Sequence, residues 1–291
     1  MKASFLERLI PKQIRLIRLK NNILKFYDRQ NADKISTEEK TVLDYLKTDG
    51  LAVFPYEFTK KYDPSSIEIL TDHQLDLYYA MWEGKRLYFK NASNKKSAQK
   101  YFNSLLLEQD LESPHRYLTD SFSVTEGSVV ADVGAAEGNF SLSVIEKVGH
   151  TYIFEPDTAW VKALNATFAP WAHKVTIVQK LVGDQTSGPY TTLDDYFHDK
   201  TKPNFIKADV EGFEISLLKG AKEIIEKSGN MKAAICTYHR QEDAENIQSL
   251  LRQYGFTTAF SEGYMIFHYG RENVVRPPYL RKAVIRAVKS N

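Results

Sequence analysis

From residue 121 onward, short apolar segments alternate with amphipathic ones, and this alternation restricts the fold more than any other feature of the chain. Short apolar runs predict strands, and apolar residues that recur about every 3.6 positions predict helices. We predict strands at 129–132, 151–155, 174–181, 204–209 and 231–237, and helices at 139–148, 158–168, 192–198, 213–227 and 242–254. Two last strands, 256–261 and 263–269, flank the tight turn SEGY and are expected to be antiparallel. Repeated βα units indicate an α/β protein with a mostly parallel sheet and helices on both faces.

Three regions are predicted along the 291 residues. Residues 1–120 contain helices and a hairpin but no chemical motif, and we interpret them as a helix-rich α+β extension. Residues 121–270 form the sheet domain, and residues 271–291 form a basic tail. One large domain with an extension is an ordinary arrangement for this length.

The location of the protein is predicted from its cysteine content and its apolar runs. A single cysteine, Cys236, excludes a disulfide within the chain and suits a reducing compartment. Acidic and basic side chains and a proline interrupt the first residues, where a signal peptide needs an apolar stretch. No run approaches the roughly 18 apolar residues of a membrane span. We therefore expect a cytoplasmic protein.

Charge is distributed unevenly along the chain. The total is +2, residues 1–30 carry +6 and residues 271–291 carry +5, so the remainder carries −9. We expect the basic ends to pack on this acidic remainder or on a twin subunit of a homo-oligomer. Peripheral contact with an anionic membrane is the alternative. Nucleic acid is not an expected partner, because no recognition motif accompanies the charge.

The stretch VVADVGAAEGNF ends an apolar run at Asp132 and continues into a turn that contains Gly134, Glu137 and Gly138. The dinucleotide pattern G-x-G-x-x-G fails here because position 136 is alanine. Glu137 would also repel a nearby phosphate by about 1–4 kcal/mol at ~4 Å. A cationic nucleoside without phosphate, such as S-adenosylmethionine, would instead be attracted. The alternative is an ordinary βα turn whose acid faces water.

Glu155 ends the second predicted strand, 23 positions after Asp132. A carboxylate there can accept hydrogen bonds from both hydroxyls of a ribose. The predicted cofactor site combines the turn, the start of the next helix and this acid. Its members are Asp132, Gly134, Glu137, Gly138, Asn139, Phe140 and Glu155.

Five motifs in the same order resemble the FkbM family of S-adenosylmethionine-dependent methyltransferases. They are DVGAAEGNFSL, YIFEPD, TTLDDYF, FIKADVEGFEISLLKGA and ICTYHRQED, and the resemblance covers about residues 115–270. It implies a class I methyltransferase (Rossmann-like) fold with a seven-stranded sheet. It also implies S-adenosylmethionine as cofactor and O-methylation of a natural-product or polysaccharide hydroxyl.

Methyl transfer requires an aligned nucleophile and removal of its proton. Asp209 ends the fourth strand of the predicted sheet and His239 ends the fifth, so both are predicted catalytic residues. Each has a structural alternative, since Asp209 could cap the following helix and His239 could bond a carbonyl. Asp209 and Glu211 could also hold a divalent cation that acidifies the substrate hydroxyl, and this alternative stays open.

The sequence therefore predicts an S-adenosylmethionine-dependent methyltransferase, with a glycan or small natural product as acceptor. The alternative from another class is a non-catalytic methyltransferase-like scaffold whose basic termini bind a membrane surface or a protein. A nicotinamide enzyme is a third hypothesis, which Glu137 and the broken glycine pattern disfavour.

Overall fold

A seven-stranded sheet organises the protein, whose computed structural model describes residues 11–90, 94–268 and 275–290. Its strands are β4 (Val129–Val133), β5 (His150–Phe154), β6 (Val175–Val178), β9 (Phe205–Ala208), β10 (Met231–Cys236), β11 (Thr257–Phe260) and β12 (Val284–Lys289). Across the sheet they lie in the order β11-β12-β10-β9-β4-β5-β6. Only β12 runs against its two neighbours. The predicted class I methyltransferase architecture is confirmed.

The strand order reverses between β4 and β9, which pair in parallel although they are far apart in the chain. From β4 the chain proceeds outward to β5 and β6, and then it returns to β9 on the other side of β4. At such a switch point the loops after the two central strands diverge to opposite faces and leave a crevice. The predicted site residues follow these two strands and their neighbours.

Helices cover both faces of the sheet. They are α4 (Asn139–Val144), α5 (Thr158–Phe168), α6 (Leu193–Tyr196), α7 (Glu214–Lys219), α8 (Lys222–Lys227) and α9 (Asp243–Gln253), with a 3₁₀ helix at Ala169–Lys174 and the short strands β7 (Leu181–Val182) and β8 (Tyr190–Thr191). The helix predicted over 213–227 is divided into α7 and α8 at Gly220. Position 220 requires glycine, because the Cβ of any other residue would lie 1.9 Å from the Gly183 carbonyl oxygen.

Within the first 120 residues, the described ranges 11–90 and 94–120 fold against the face of the sheet that α4 and α5 cover. Their elements are α1 (Lys12–Asp28), α2 (Thr37–Thr48), β1 (Leu70–Asp72), β2 (Leu77–Trp82), β3 (Lys85–Phe89), α3 (Lys95–Glu108) and 3₁₀ turns at Ala32–Lys34, Glu57–Lys61 and Pro64–Ser66. One hydrophobic cluster joins Trp82 and Phe102 of this extension to Phe140 and Phe168 of the sheet domain. Among the described residues, no helix combines the length and apolarity that crossing a membrane requires.

The last strand corrects the sequence prediction. A strand was expected at 263–269, but in the described part of this stretch only Met265 makes a sheet-like bridge, to Arg281. The seventh strand is β12, which lies in the segment predicted as a basic tail and enters between β10 and β11. Two of its basic side chains donate to backbone carbonyl groups: Arg286 Nη2 lies 2.6 Å from the Arg116 oxygen, and Lys289 Nζ lies 2.8 Å from the oxygen of Ile225 in α8. These two cations serve the packing of the sheet domain, and the expected packing of both basic ends on the acidic remainder stays a prediction.

Candidate functional site

Both glycines of the turn after β4 are required by the protein's own packing. Gly134 has φ +71°, and a Cβ there would lie 2.0 Å from the backbone oxygen of Asp209. Gly138 has φ +83°, and its Cβ would meet Leu164 at 2.7 Å. Because Gly134 lacks a side chain, the turn can lie against the end of β9. Because Gly138 lacks one, the turn can also pack closely on α5. The turn also holds Ala136 at φ +47°, a strained conformation of the kind that is concentrated at functional loops.

Asp132 lies inside the protein, beneath the crevice. Lys207 Nζ is 3.2 Å from its Oδ1, and the Ser141 hydroxyl donates to its Oδ2 at 2.7 Å. Lys207 also donates to the Gly134 carbonyl oxygen at 2.8 Å. This buried ion pair connects β4 and β9 and holds the turn, so the structure gives Asp132 a positioning role beneath the predicted cofactor residues.

Asn139 and Phe140 open α4 and are also buried. The Asn139 side chain accepts from the Phe140 backbone N–H, and the Phe140 ring packs against Tyr117 and Phe205. Both residues line a cavity of about 580 Å³ on the outer side of α4, next to Trp82. None of the strand-end carboxylates lines that cavity, so the structure separates these two residues from the crevice.

Glu155 joins the end of β5 to the turn. Its Oε2 accepts from the Ala136 N–H and its Oε1 from the Asp157 N–H, each at 2.9 Å. Each carboxylate oxygen has a second lone pair, so the group can still accept hydrogen bonds from a ligand. Burial raises the pKa of Glu155. The structure therefore brings Glu155 and the turn together, as predicted.

Glu137 and Glu108 are two neighbouring carboxyl groups near the turn, and the pKa of each is raised. The Tyr101 hydroxyl donates to Glu137, and burial raises the pKa of Glu137 to about 7. Burial, together with the charges of Glu137 and Asp209, raises the pKa of Glu108 well above its ordinary value. Among the described residues, no Lys, Arg or His lies within ion-pair distance of either glutamate. Isolated buried carboxylates are costly, and a bound cation would relieve them.

Tyr101 and Glu108 both belong to α3 of the extension, and sequence reasoning did not select them. The available signal was weak: Glu108 directly follows the apolar run Leu105–Leu107. An acid next to three leucines in a packed helix is a candidate for burial. Nothing in the sequence, however, indicates which surface that helix covers.

Asp209 lies at the centre of a polar cluster just beyond β9. The Tyr117 hydroxyl donates to its Oδ2 at 3.0 Å and the Tyr238 hydroxyl to its Oδ1 at 3.2 Å. His239 Nε2 lies 3.4 Å from Oδ1, and His115 Nε2 lies 3.7 Å from Oδ2. Burial disfavours the charged carboxylate, but the charges of His239 and Lys207 outweigh it and lower the pKa of Asp209 to about 2. About 20% of the side chain stays exposed, so a ligand can reach this anion.

The two histidines of this cluster differ in charge. Burial lowers the pKa of His115 to about 4, so its ring is neutral. Burial also disfavours a charge on His239, but its contact with Glu214 and the field of Asp209 prevail and raise its pKa to about 9. His239 Nδ1 lies 2.9 Å from Glu214 Oε1. At neutral pH His239 therefore carries a proton, and it can accept one only after losing it.

Glu214 explains the local fold of the KADVEGFE motif. Its Oε1 accepts from the backbone N–H of Val210 at 3.0 Å and of Gly212 at 3.4 Å. These bonds close the loop that holds Glu211 at φ +53°, with its side chain 88% exposed. Glu211 Oε2 lies 3.7 Å from His239 Nε2. Ligand atoms of Asp209, Glu214 and His239 lie within 4.8 Å of one another, a cluster that contains Asp209 but not Glu211. The predicted cation at Asp209 and Glu211 stays a prediction.

The strand order, the switch point and the carboxylates at the strand ends define an α/β protein of the class I methyltransferase type. Residues 173–258 match the family described as the methyltransferase FkbM domain, which confirms the resemblance carried by the motifs. This stretch includes β9, β10, Asp209 and His239, whereas His115 and Tyr117 lie before it. No protein of curated function matches the chain.

Two solved structures with a similar arrangement of strands and helices are described as methyltransferases. Methyltransferase FkbM from Methylobacillus flagellatus KT aligns with a TM-score of 0.45 and 18% identity over 66% of this chain. That alignment spans 53% of the Methylobacillus protein, so this chain matches about half of its length. Magnesium protoporphyrin IX methyltransferase from Synechocystis PCC 6803, solved with bound S-adenosylmethionine, aligns with a TM-score of 0.37 and 15% identity over 57% of this chain and 71% of its own.

Proposed function

We propose that the protein transfers a methyl group from S-adenosylmethionine to a hydroxyl group of a glycan or a small natural product. The observation that supports this most is a pair of carboxyl groups, those of buried Glu137 and half-buried Glu108, without an ion-pair partner among the described residues. The ammonium and sulfonium groups of this cofactor would neutralise them. Each phosphate of a nicotinamide dinucleotide would instead meet repulsion of about 1–4 kcal/mol at ~4 Å.

The residues around the crevice fit the parts of this nucleoside. Glu155 has lone pairs available for ribose hydroxyls, and the turn at Ala136 borders the same space. Glu137 and Glu108 would face the positively charged amino-acid end. Asp132, Gly134 and Gly138 would act indirectly, by fixing the turn in this position.

When bound, the cofactor would supply a methyl carbon to the acceptor oxygen, and the electron pair of the broken C–S bond would remain on sulfur. Asp209 is a partly exposed anion beyond the end of β9, and it can accept a hydrogen bond from the acceptor hydroxyl and so orient that hydroxyl. His239, once deprotonated, can take the proton released from that hydroxyl. Preorganised charges of this kind contribute more than the same groups in water.

Replacing Glu137 with glutamine tests the cofactor site. The substitution keeps the size of the side chain and removes its charge, so the affinity for S-adenosylmethionine is expected to fall about 10- to 100-fold, the value of a hydrogen bond to a charged group. Isothermal titration calorimetry measures this directly. Glu146→Gln, on the exposed surface, is the matched control and should bind as the wild type does. Equal affinity in all three proteins would exclude Glu137 from the site.

The charge state of His239 can be measured without knowing the acceptor. Its ring resonances are expected to titrate near pH 9, while those of His115 titrate near pH 4. Glu214→Gln removes the acceptor that stabilises the imidazolium, so the His239 pKa should fall toward 6.5, its ordinary value. Nuclear magnetic resonance with His239→Gln and His115→Gln for assignment provides the values. A His239 pKa below 7 in the wild type would contradict this assignment and would make His239 a base at neutral pH.

A further inference from the structure

Helix α1 is anchored to the protein by one face of its carboxyl-terminal half. Ile23 and Tyr27 are buried there, and the Tyr27 hydroxyl donates to the Pro278 carbonyl oxygen at 3.1 Å. They pack in a cluster with Val42 and Leu46 of α2. Side chains on the opposite face of α1 point away from the protein.

That opposite face carries two exposed isoleucines. At 3.6 residues per turn, Ile14 lies about 140–180° around the helix from Ile23 and Tyr27, on the same side as Arg18 and Lys25. Ile17 lies about 80–120° around the helix from the two buried residues. Their exposed fractions are 44% and 58%. Isolated exposed apolar residues are normal on a protein surface, but two large ones at i and i+3 form a continuous patch.

Cations surround this patch. Residues 12–29 contain six basic side chains and one acid, Asp28. Among the described residues, none of these six cations belongs to an ion pair. Near the other end of the chain, the basic side chains of Arg286 and Lys289 bond to backbone carbonyl groups of the protein itself, so they are not free to bind an outside partner. The exposed face of α1 therefore combines apolar surface with unneutralised positive charge.

We propose that the face of α1 formed by Ile14, Ile17, Arg18 and Lys25 docks on an anionic lipid surface. Helices with isoleucine-type side chains beside Lys and Arg bind where acyl chains meet negatively charged head groups. Residues 31–270 carry −9 and residues 271–291 carry +5, so the chain after residue 30 has a net charge of −4 and the positive charge is concentrated in the first 30 residues. This proposal does not depend on the proposed methyl transfer.

Vesicle co-sedimentation of the full chain tests the proposal. The wild type is expected to bind vesicles of phosphatidylcholine mixed with phosphatidylglycerol, to release at high salt and to ignore phosphatidylcholine alone. The double variant Ile14→Ser, Ile17→Ser should lower partitioning at least about tenfold. Arg18→Gln with Lys25→Gln should lower it about 25-fold, at roughly fivefold for each cation.

Matched controls use equally exposed residues elsewhere. Leu111→Ser changes a side chain that is 80% exposed, and Lys219→Gln with Lys222→Gln removes two exposed cations; both proteins should bind vesicles as the wild type does. Absence of binding to anionic vesicles, or equal binding by the α1 variants, would overturn the proposal. So would a dimer in light scattering that Ile14→Ser and Ile17→Ser dissociate, because the patch would then bind a second copy of the chain. Calorimetry with S-adenosylmethionine on the same proteins shows separately whether each protein binds the cofactor. A loss of vesicle binding can therefore be distinguished from a failure of the proposed cofactor site.

Discussion

Asp209→Asn is expected to lower the rate of methyl transfer about 10²- to 10⁴-fold, the range associated with a positioned acid–base group. The carboxylate faces two phenol hydroxyls and two histidines, and it remains partly exposed to a ligand. An amide of the same shape keeps its oxygen for one of these donors but loses the charge that pairs with His239 and orients the acceptor. Incorporation of labelled methyl groups from S-adenosylmethionine into surface-polysaccharide precursors gives the rate.

Two controls make this result interpretable. Asp184→Asn changes an exposed aspartate in a loop and should leave the rate unchanged. Calorimetry on Asp209→Asn should show a much smaller loss of cofactor affinity than of rate, since the change acts on the acceptor. A rate within threefold of the wild type would show that Asp209 only holds the fold together.

Gly134→Ala is expected to lower the free energy of unfolding by about 3 kcal/mol or more. A left-handed backbone costs a residue with a Cβ about 1–2 kcal/mol. Here the new carbon would also lie 2.0 Å from the Asp209 backbone oxygen, and overpacking adds about 1–3 kcal/mol. The oxygen belongs to the end of a central strand and cannot move without disturbing the sheet. Urea unfolding, analysed by linear extrapolation, measures the loss.

Gly188→Ala separates the two causes. Gly188 has φ +56° and no atom within 4 Å of its added Cβ, so only the backbone penalty of about 1–2 kcal/mol applies. The loss of unfolding free energy in Gly134→Ala minus the loss in Gly188→Ala measures the effect of the close approach between the turn and β9. Equal losses would show that this approach is unimportant for stability.

The alternation of strands and helices was readable in the sequence because each parallel strand is buried and each helix is amphipathic. The position of the seventh strand was not readable. Residues 271–291 were predicted to be a basic tail, whereas in β12 the side chains of Arg286 and Lys289 reach backbone carbonyl groups of the sheet domain and its surroundings. Such pairing depends on contacts with residues far away in sequence, which local patterns do not encode.

The residues of the candidate site that follow strands of the sheet could be predicted from the sequence, and those from the N-terminal extension could not. Glu155, Asp209 and His239 follow strands whose carboxyl ends meet at one edge, and the structure does bring them to that edge. Tyr101 and Glu108 come from the extension, and no motif determines how that extension packs. The roles expected for Asp132 and Gly134 also changed, because burial beneath the turn and the distance to Asp209 depend on the folded chain.

Calorimetric titration of the wild-type protein with S-adenosylmethionine, and separately with the oxidised nicotinamide dinucleotide, tests most directly whether the acidic crevice was formed for a cation without phosphates. We expect saturable binding of S-adenosylmethionine and no detectable heat from the dinucleotide. Binding of the dinucleotide, or no binding of S-adenosylmethionine by the folded protein, would contradict the account.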